Sequence, residues 1–177
     1  MLQLINIEDI KAAKDMGKKV DLDKINPIIT QAHDDLRDYL GVNLYFDVLG
    51  NLENPDYQAL LSGGTFEISG QSYPITYYQD GLKVMLIDLF MNRYLSQINI
   101  NITPFGATIK KSQDSEPVDR VTLQDRSKEQ TQMASAKWEM IKLYLDENYT
   151  LFKAYNSCIT NSITQIGERK SRFRTIV

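Results

Sequence analysis

This sequence predicts a mainly α protein: a helical bundle with a long C-terminal helix, a small β-hairpin and an extended C-terminal tail. Three observations carry that expectation. Apolar residues recur at gaps of three and four over residues 28–40, 82–95 and 138–155. Only two short runs, Thr65 to Ile68 and Tyr73 to Tyr77, are rich in β-branched and aromatic residues, and Ser69-Gly70-Gln71-Ser72 lies between them. At 177 residues the chain is one domain by length, long enough to bury a proper core. We divide it into a helical domain over 1–160 and an extended basic tail over 161–177.

The first helix with clear punctuation starts at Asn26-Pro27, because Asn caps well and Pro at the first helical position gives up only an N–H that has no partner there. Ile28, Ile29, Ala32, Leu36, Tyr39 and Leu40 form its apolar face, opposite Gln31, Asp34, Asp35 and Asp38. Gly41 ends or kinks it, and Val42 to Leu49 forms a further apolar turn or two. Asn54-Pro55 starts another helix, stopped by Gly63-Gly64. The hairpin follows, and two strands alone are marginal in water, so it must lean on a helix or a neighbouring subunit.

The next helix, about Asp80 to Ile98, is the hydrophobic centre. Leu82, Met85, Leu86, Leu89, Phe90 and Tyr94 make one stripe, and Val84, Ile87, Met91 and Leu95 a second. Only a strip through Asp88, Asn92 and Ser96 stays polar. A helix so apolar is covered on most sides, either as the centre of a bundle or by a second copy. Ile98 to Ile102 reads as a short strand or extended exit, Thr103-Pro104-Phe105-Gly106 as a turn, and Lys110 to Pro117 as a loop. From Pro117 a helix of about 40 residues runs to about Asn156, roughly 60 Å long if straight. Its first part is polar all round and projects or meets another chain. The part after Met133 packs on the domain.

Composition narrows the function. A net charge of −3 and a pI near 5.2 argue against a dedicated nucleic-acid binder. The charge is uneven: from Gly167 onward Arg169, Lys170, Arg172 and Arg174 face only Glu168. The single Cys158 cannot close an intramolecular disulfide, the first ten residues lack a signal-peptide pattern, and no stretch is apolar enough to span a bilayer. These features point to a protein made in a cytoplasm, with no membrane partner.

Candidate chemistry is sparse. His33 precedes Asp34 and Asp35, but one His and one Cys cannot assemble a His/Cys-rich metal site, and His33 fits the flank of an apolar helix face. Asp114, Glu116, Asp119, Asp125 and Glu129 lack the spacing and glycine of a calcium loop, and acidic residues near Pro117 suit the dipole of a helix start. Gly63-Gly64 has no Lys-Ser/Thr after it, and no G-x-S-x-G elbow occurs. The expectation is no enzyme and no cofactor.

The order of parts carries a resemblance. Tyr57-Gln58-Ala59-Leu60-Leu61-Ser62-Gly63-Gly64, a hairpin containing Tyr73-Pro74, Gly81-Leu82-Lys83 opening an apolar helix, Thr103-Pro104-Phe105-Gly106, and a Ser/Asp/Pro ramp into a long helix follow one another. From about Ile25 to Tyr155 this resembles the head–tail connector (adaptor, or neck) proteins of tailed bacteriophages, closest in flavour to those of phages of Bacteroidetes hosts, crAss-like phages included. The resemblance implies a structural virion protein: a homo-oligomeric ring of twelve subunits below the portal, joining capsid to tail and lining the channel for genomic DNA. Its partners would be the portal and the next neck or tail protein. It would be assembled in the host cytoplasm and located in the virion neck.

Under that reading Phe105, Val84, Ile87 and Met91 contribute to the subunit interface. Lys110 and Lys111 approach DNA in the channel or belong to a solvated loop. The tail residues Arg169, Lys170, Arg172, Phe173, Arg174, Ile176 and Val177 bind the portal; the plainer alternative is a solvated basic end. Two competing classes stand beside the connector: a cellular helical interaction module, monomeric or dimeric, and a small enzyme holding metal at Asp114, Glu116 and Asp119.

Overall fold

A computed structural model describes residues 3–14, 16, 22–68, 75–97, 100–103, 106–109 and 118–155. Among the described residues the main elements follow in the order α1 (Ile7–Ala13), α2 (Leu22–Leu40), α3 (Val42–Gly50), α4 (Pro55–Ser62), β1 (Gly64–Glu67), β2 (Thr76–Gln79), α5 (Leu82–Gln97), β3 (Ile100–Thr103), β4 (Gly106–Ile109) and α6 (Arg120–Glu147), the strands pairing as two antiparallel hairpins. The mainly helical class read from the sequence is the observed one.

α5 is the central helix. Leu82, Met85, Leu86, Leu89 and Phe90 are buried, and α1, α2, α4 and α6 all pack on it. Each such side chain contributes roughly 1.5–3 kcal/mol by leaving water. One chain therefore supplies most of the cover for which a second copy was the alternative. α6 runs antiparallel to α5, since Ser127 bonds Asn92 while Lys137, further along, reaches back to Asp88. α2 closes the third side through Ile25, Ile29, Ala32 and Leu36, and Tyr39 meets Ser135 (3.2 Å) and the edge of Trp138. On the surface Arg93 of α5 forks onto Asp35 of α2 at 2.6 and 2.8 Å.

Several boundaries differ from the sequence reading, each for a local reason. α2 starts at Leu22, and Pro27 lies inside it rather than at its first turn. Pro27 cannot donate a helical hydrogen bond, but fully buried Ile25 holds the extra turn on the core and outweighs that loss. α1 was not foreseen; Asn6 caps it by accepting from Glu8 and Asp9, the Asp9 carboxylate accepts from the Asn6 backbone, and Ile5 and Ile10 anchor it. The second hairpin strand lies at Thr76–Gln79, not 73–77, in the register Gly64↔Gln79 to Glu67↔Thr76. The exit after α5 is a strand paired with a further one, Thr103↔Gly106 closing a two-residue connection.

α6 has 28 residues, not 40. Asp119 caps its start, accepting from Val121 and Thr122, so this carboxylate serves the helix end. At the other end Asn148 caps the helix, its backbone N–H and its side-chain amide both donating to the Tyr144 carbonyl at 3.0 and 2.9 Å. The chain then doubles back, burying Phe152 completely between Tyr57 and Tyr144, while Tyr149 remains exposed. A single helix through these aromatics would have laid them along one line; the turn seats Phe152 under α4 instead.

Candidate functional site

Two polar features lie outside ordinary core packing, one a groove and the other a buried charge cluster. Gly41, at a φ of 75°, breaks what would otherwise be one helix and folds α3 back over α2. Between them opens a groove of about 380 Å³, lined chiefly by His33, Asp34, Arg37, Tyr45, Phe46 and Leu49. His33 and Tyr45 are buried at its floor, and the Tyr45 hydroxyl meets His33 Nδ1 at 3.0 Å. Phe46 stacks edge-on against Tyr45 and is 59% exposed. Asp34 and Arg37 pair at the rim at 2.9 Å.

His33 Nε2 has no hydrogen-bond partner among the described residues. Burial lowers the imidazole pKa below its ordinary 6.5, and the Asp34 charge only partly opposes this. The native state therefore holds His33 neutral, while the unfolded chain takes up its proton as pH falls through 6.5. Stability is expected to be full above that point and to decline below it, levelling off once the native imidazole also protonates. The slope cannot exceed about 1.4 kcal/mol per pH unit for one proton. Denaturant titrations between pH 7.5 and 5.5 check this, because His33 is the only histidine in the chain. His33→Phe should flatten the profile, and a wild-type profile already flat in that window would refute the assignment.

The charge cluster centres on Asp88. The sequence places this residue on a polar strip of α5, yet its side chain is 1% exposed. Lys14, just past α1, reaches Oδ1 at 2.8 Å, and Lys137 of α6 reaches Oδ2 at 2.5 Å. Lys14 also donates to Gln130 at 3.2 Å. One carboxylate thus ties three helices together. Elsewhere the Tyr57 hydroxyl donates to Asp47, and burial together with that bond raises the phenol's pKa well above its usual value.

Of the interface residues proposed from sequence, Val84, Ile87 and Met91 do lie along one side of α5. Ile87 is only 5% exposed, however, so α5's own partners already cover it and a neighbour has nothing left to bury there. Met91 is half-buried against the core, and Val84 is exposed. Phe105, Lys110 and Lys111 lie outside the described residues, as do Arg169, Lys170, Arg172, Phe173, Arg174, Ile176 and Val177. Neither the groove nor the cluster was foreseen. The signal for the groove was Gly41 between two apolar helices; the cluster joins residues from three distant segments and left no local trace.

Among the described residues no three His, Cys, Asp or Glu side chains group as a metal set, and no helix is long and apolar enough to cross a membrane. A family of unknown function, DUF6712, matches residues 36–165, and the chain belongs to that family. No curated protein and no solved structure matches the chain. The family match begins within α2, yet α1 and the first half of α2 share the same core.

Proposed function

We propose that this DUF6712 member is a structural subunit of the head–tail connector ring of a tailed bacteriophage, seated below the portal. The observation that carries the reading is the pair of two-stranded hairpins. Neither β1–β2 nor β3–β4 is joined by a third strand among the described residues, and two strands alone are marginal in water, so each calls for further support. Val42 and Phe46, one turn apart on α3, are both 59% exposed, and Val118 and Val121 are exposed at the start of α6. Head-to-tail contacts through such patches close into a ring when the rotation per subunit divides a full turn.

In this reading an acidic body suits a conduit for DNA, because a lumen that repels phosphate lets a genome pass without sticking. The basic tail from Gly167 onward would engage the portal, its contact repeated by every subunit so that weak single contacts sum to a firm joint. Mass measurement in solution tests the proposal: one chain is 20.3 kDa, and twelve are about 240 kDa. We expect rings, either alone or on addition of portal protein, with portal binding but not ring formation lost when residues 171–177 are removed. A protein that stays monomeric or dimeric at high concentration and is not recruited by a portal is an interaction module of another kind.

A further inference from the structure

We propose that the groove between α2 and α3 is the seat of the chain's own C-terminal segment, residues 168–177, with Phe173 packed against Phe46. The groove presents one aromatic side chain that is more than half exposed, Phe46, with the Asp34 carboxylate at its rim. Of the carboxylates on these helices, Asp35 is held by Arg93 and Asp47 accepts from Tyr57, which leaves Asp34 and Asp38, beside Arg37, on the groove's side. Asp38 is exposed one turn beyond Asp34, on the same side of α2. A fitting occupant is therefore a cationic segment with an aromatic anchor.

The sequence supplies one. Arg172-Phe173-Arg174 sets a ring between two guanidinium groups, with Arg169 and Lys170 just before. Phe173 would add an aromatic contact to Phe46 and Tyr45, while the arginines fork onto Asp34 and Asp38 or lie over the exposed Phe46 ring. Arg37 opposes this, but Asp34 already holds it at 2.9 Å. The path is short. Phe152 packs on Tyr57, whose hydroxyl bonds Asp47 of α3, so the described chain ends on the other side of the helix that walls the groove. Crossing one helix takes about 10–12 Å, or roughly four extended residues, and sixteen separate Tyr155 from Arg172. An attached segment also acts at an effective concentration in the millimolar range.

This docking needs no second protein and stands or falls apart from the connector reading; in a connector, the segment would leave this seat to reach a portal. Photo-crosslinking in the full chain tests it. Phe173→p-benzoylphenylalanine is introduced, isotopically light and heavy chains are mixed, and crosslinks are mapped by mass spectrometry. The expected result is crosslinks within one chain, concentrated on Tyr45, Phe46 and Leu49. Their yield should fall about fivefold in Phe46→Ser, as loss of one aromatic contact implies, and likewise in the double variant Asp34→Asn, Asp38→Asn. Phe46 is largely exposed, so its replacement leaves the core intact. Crosslinks scattered over the surface, yields unchanged in Phe46→Ser, or crosslinks mainly between light and heavy chains would overturn the proposal, the last by placing a second copy's tail in the groove.

Discussion

Gly81→Ala is expected to destabilise the protein by about 4 kcal/mol, combining backbone strain with overpacking. Gly81 stands at a φ of 88°, where a side chain is strained whatever the space. There is also no space. A methyl built there would sit 2.5 Å from the Gly63 nitrogen and 2.6 Å from the Leu61 carbonyl oxygen, both backbone atoms that no rotamer can move. Gly63, at a φ of 87°, faces the same problem against the Gln79 and Asp80 backbone. Between them lies fully buried Gln79, which donates to the Ala59 carbonyl at 2.7 Å and accepts from the Gly81 nitrogen at 2.8 Å. The end of α4, the hairpin and the start of α5 are thus locked at one junction.

Two other glycines calibrate that result. Gly50→Ala meets nothing within 4 Å and has no unusual φ, so it should be neutral or slightly stabilising. Gly41→Ala also meets nothing but carries a φ of 75°, and should cost about 1 kcal/mol from strain alone. Thermal melts order the three. At about 2–4 °C per kcal/mol for a chain this size, Gly81→Ala should melt roughly 10 °C below wild type. A Gly81→Ala variant that melts with Gly50→Ala would mean the junction gives way without cost.

The same junction shows what the sequence makes legible. Gly63-Gly64 as helix stop and strand entry, and Gly81 as the opening of the apolar helix, are read from local pattern, because helix ends and turns are decided by neighbours in the chain. That Gly63 and Gly81 touch is not, since their contact is a tertiary event eighteen residues apart. Pro27 illustrates the converse error. Its local preference for a first helical turn was overridden by Ile25, whose burial depends on where α5 and α2 meet. Asn148 caps α6 with its backbone and its side chain both donating to the Tyr144 carbonyl, a stop that the three–four spacing of Tyr149, Phe152 and Tyr155 conceals. The second apolar stripe of α5, through Ile87, left bundle and second copy as alternative covers for a similar reason: periodicity ranks the faces of a helix but does not count how many partners will cover them.

Asp88→Asn should cost about 3 kcal/mol, the usual range when one member of a buried charge set is removed and its partners are left uncompensated. The amide matches the carboxylate in size, so the loss is electrostatic rather than a cavity. Lys14 and Lys137, at 25% and 14% side-chain exposure, would then approach each other at a neutral site with little water to screen them. Removing either lysine is milder, because the other still pairs with Asp88; Lys14→Met and Lys137→Met should each cost about 1 kcal/mol. An Asp88→Asn loss larger than the two lysine losses together distinguishes a shared counter-ion from two independent salt bridges, for which it would equal their sum. Urea titrations measure it, and Asp88→Asn within about 0.5 kcal/mol of wild type would sink the argument. Amide exchange adds a positional readout. Lys14 is the residue that follows α1, so α1 should lose protection first in Asp88→Asn, while α5 and the second half of α6, held by Phe90, Ile141 and Leu145, should lose it only at global unfolding. A carboxylate placed where an amphipathic pattern reads a solvent face is therefore the pin that joins α1 to α6 across α5.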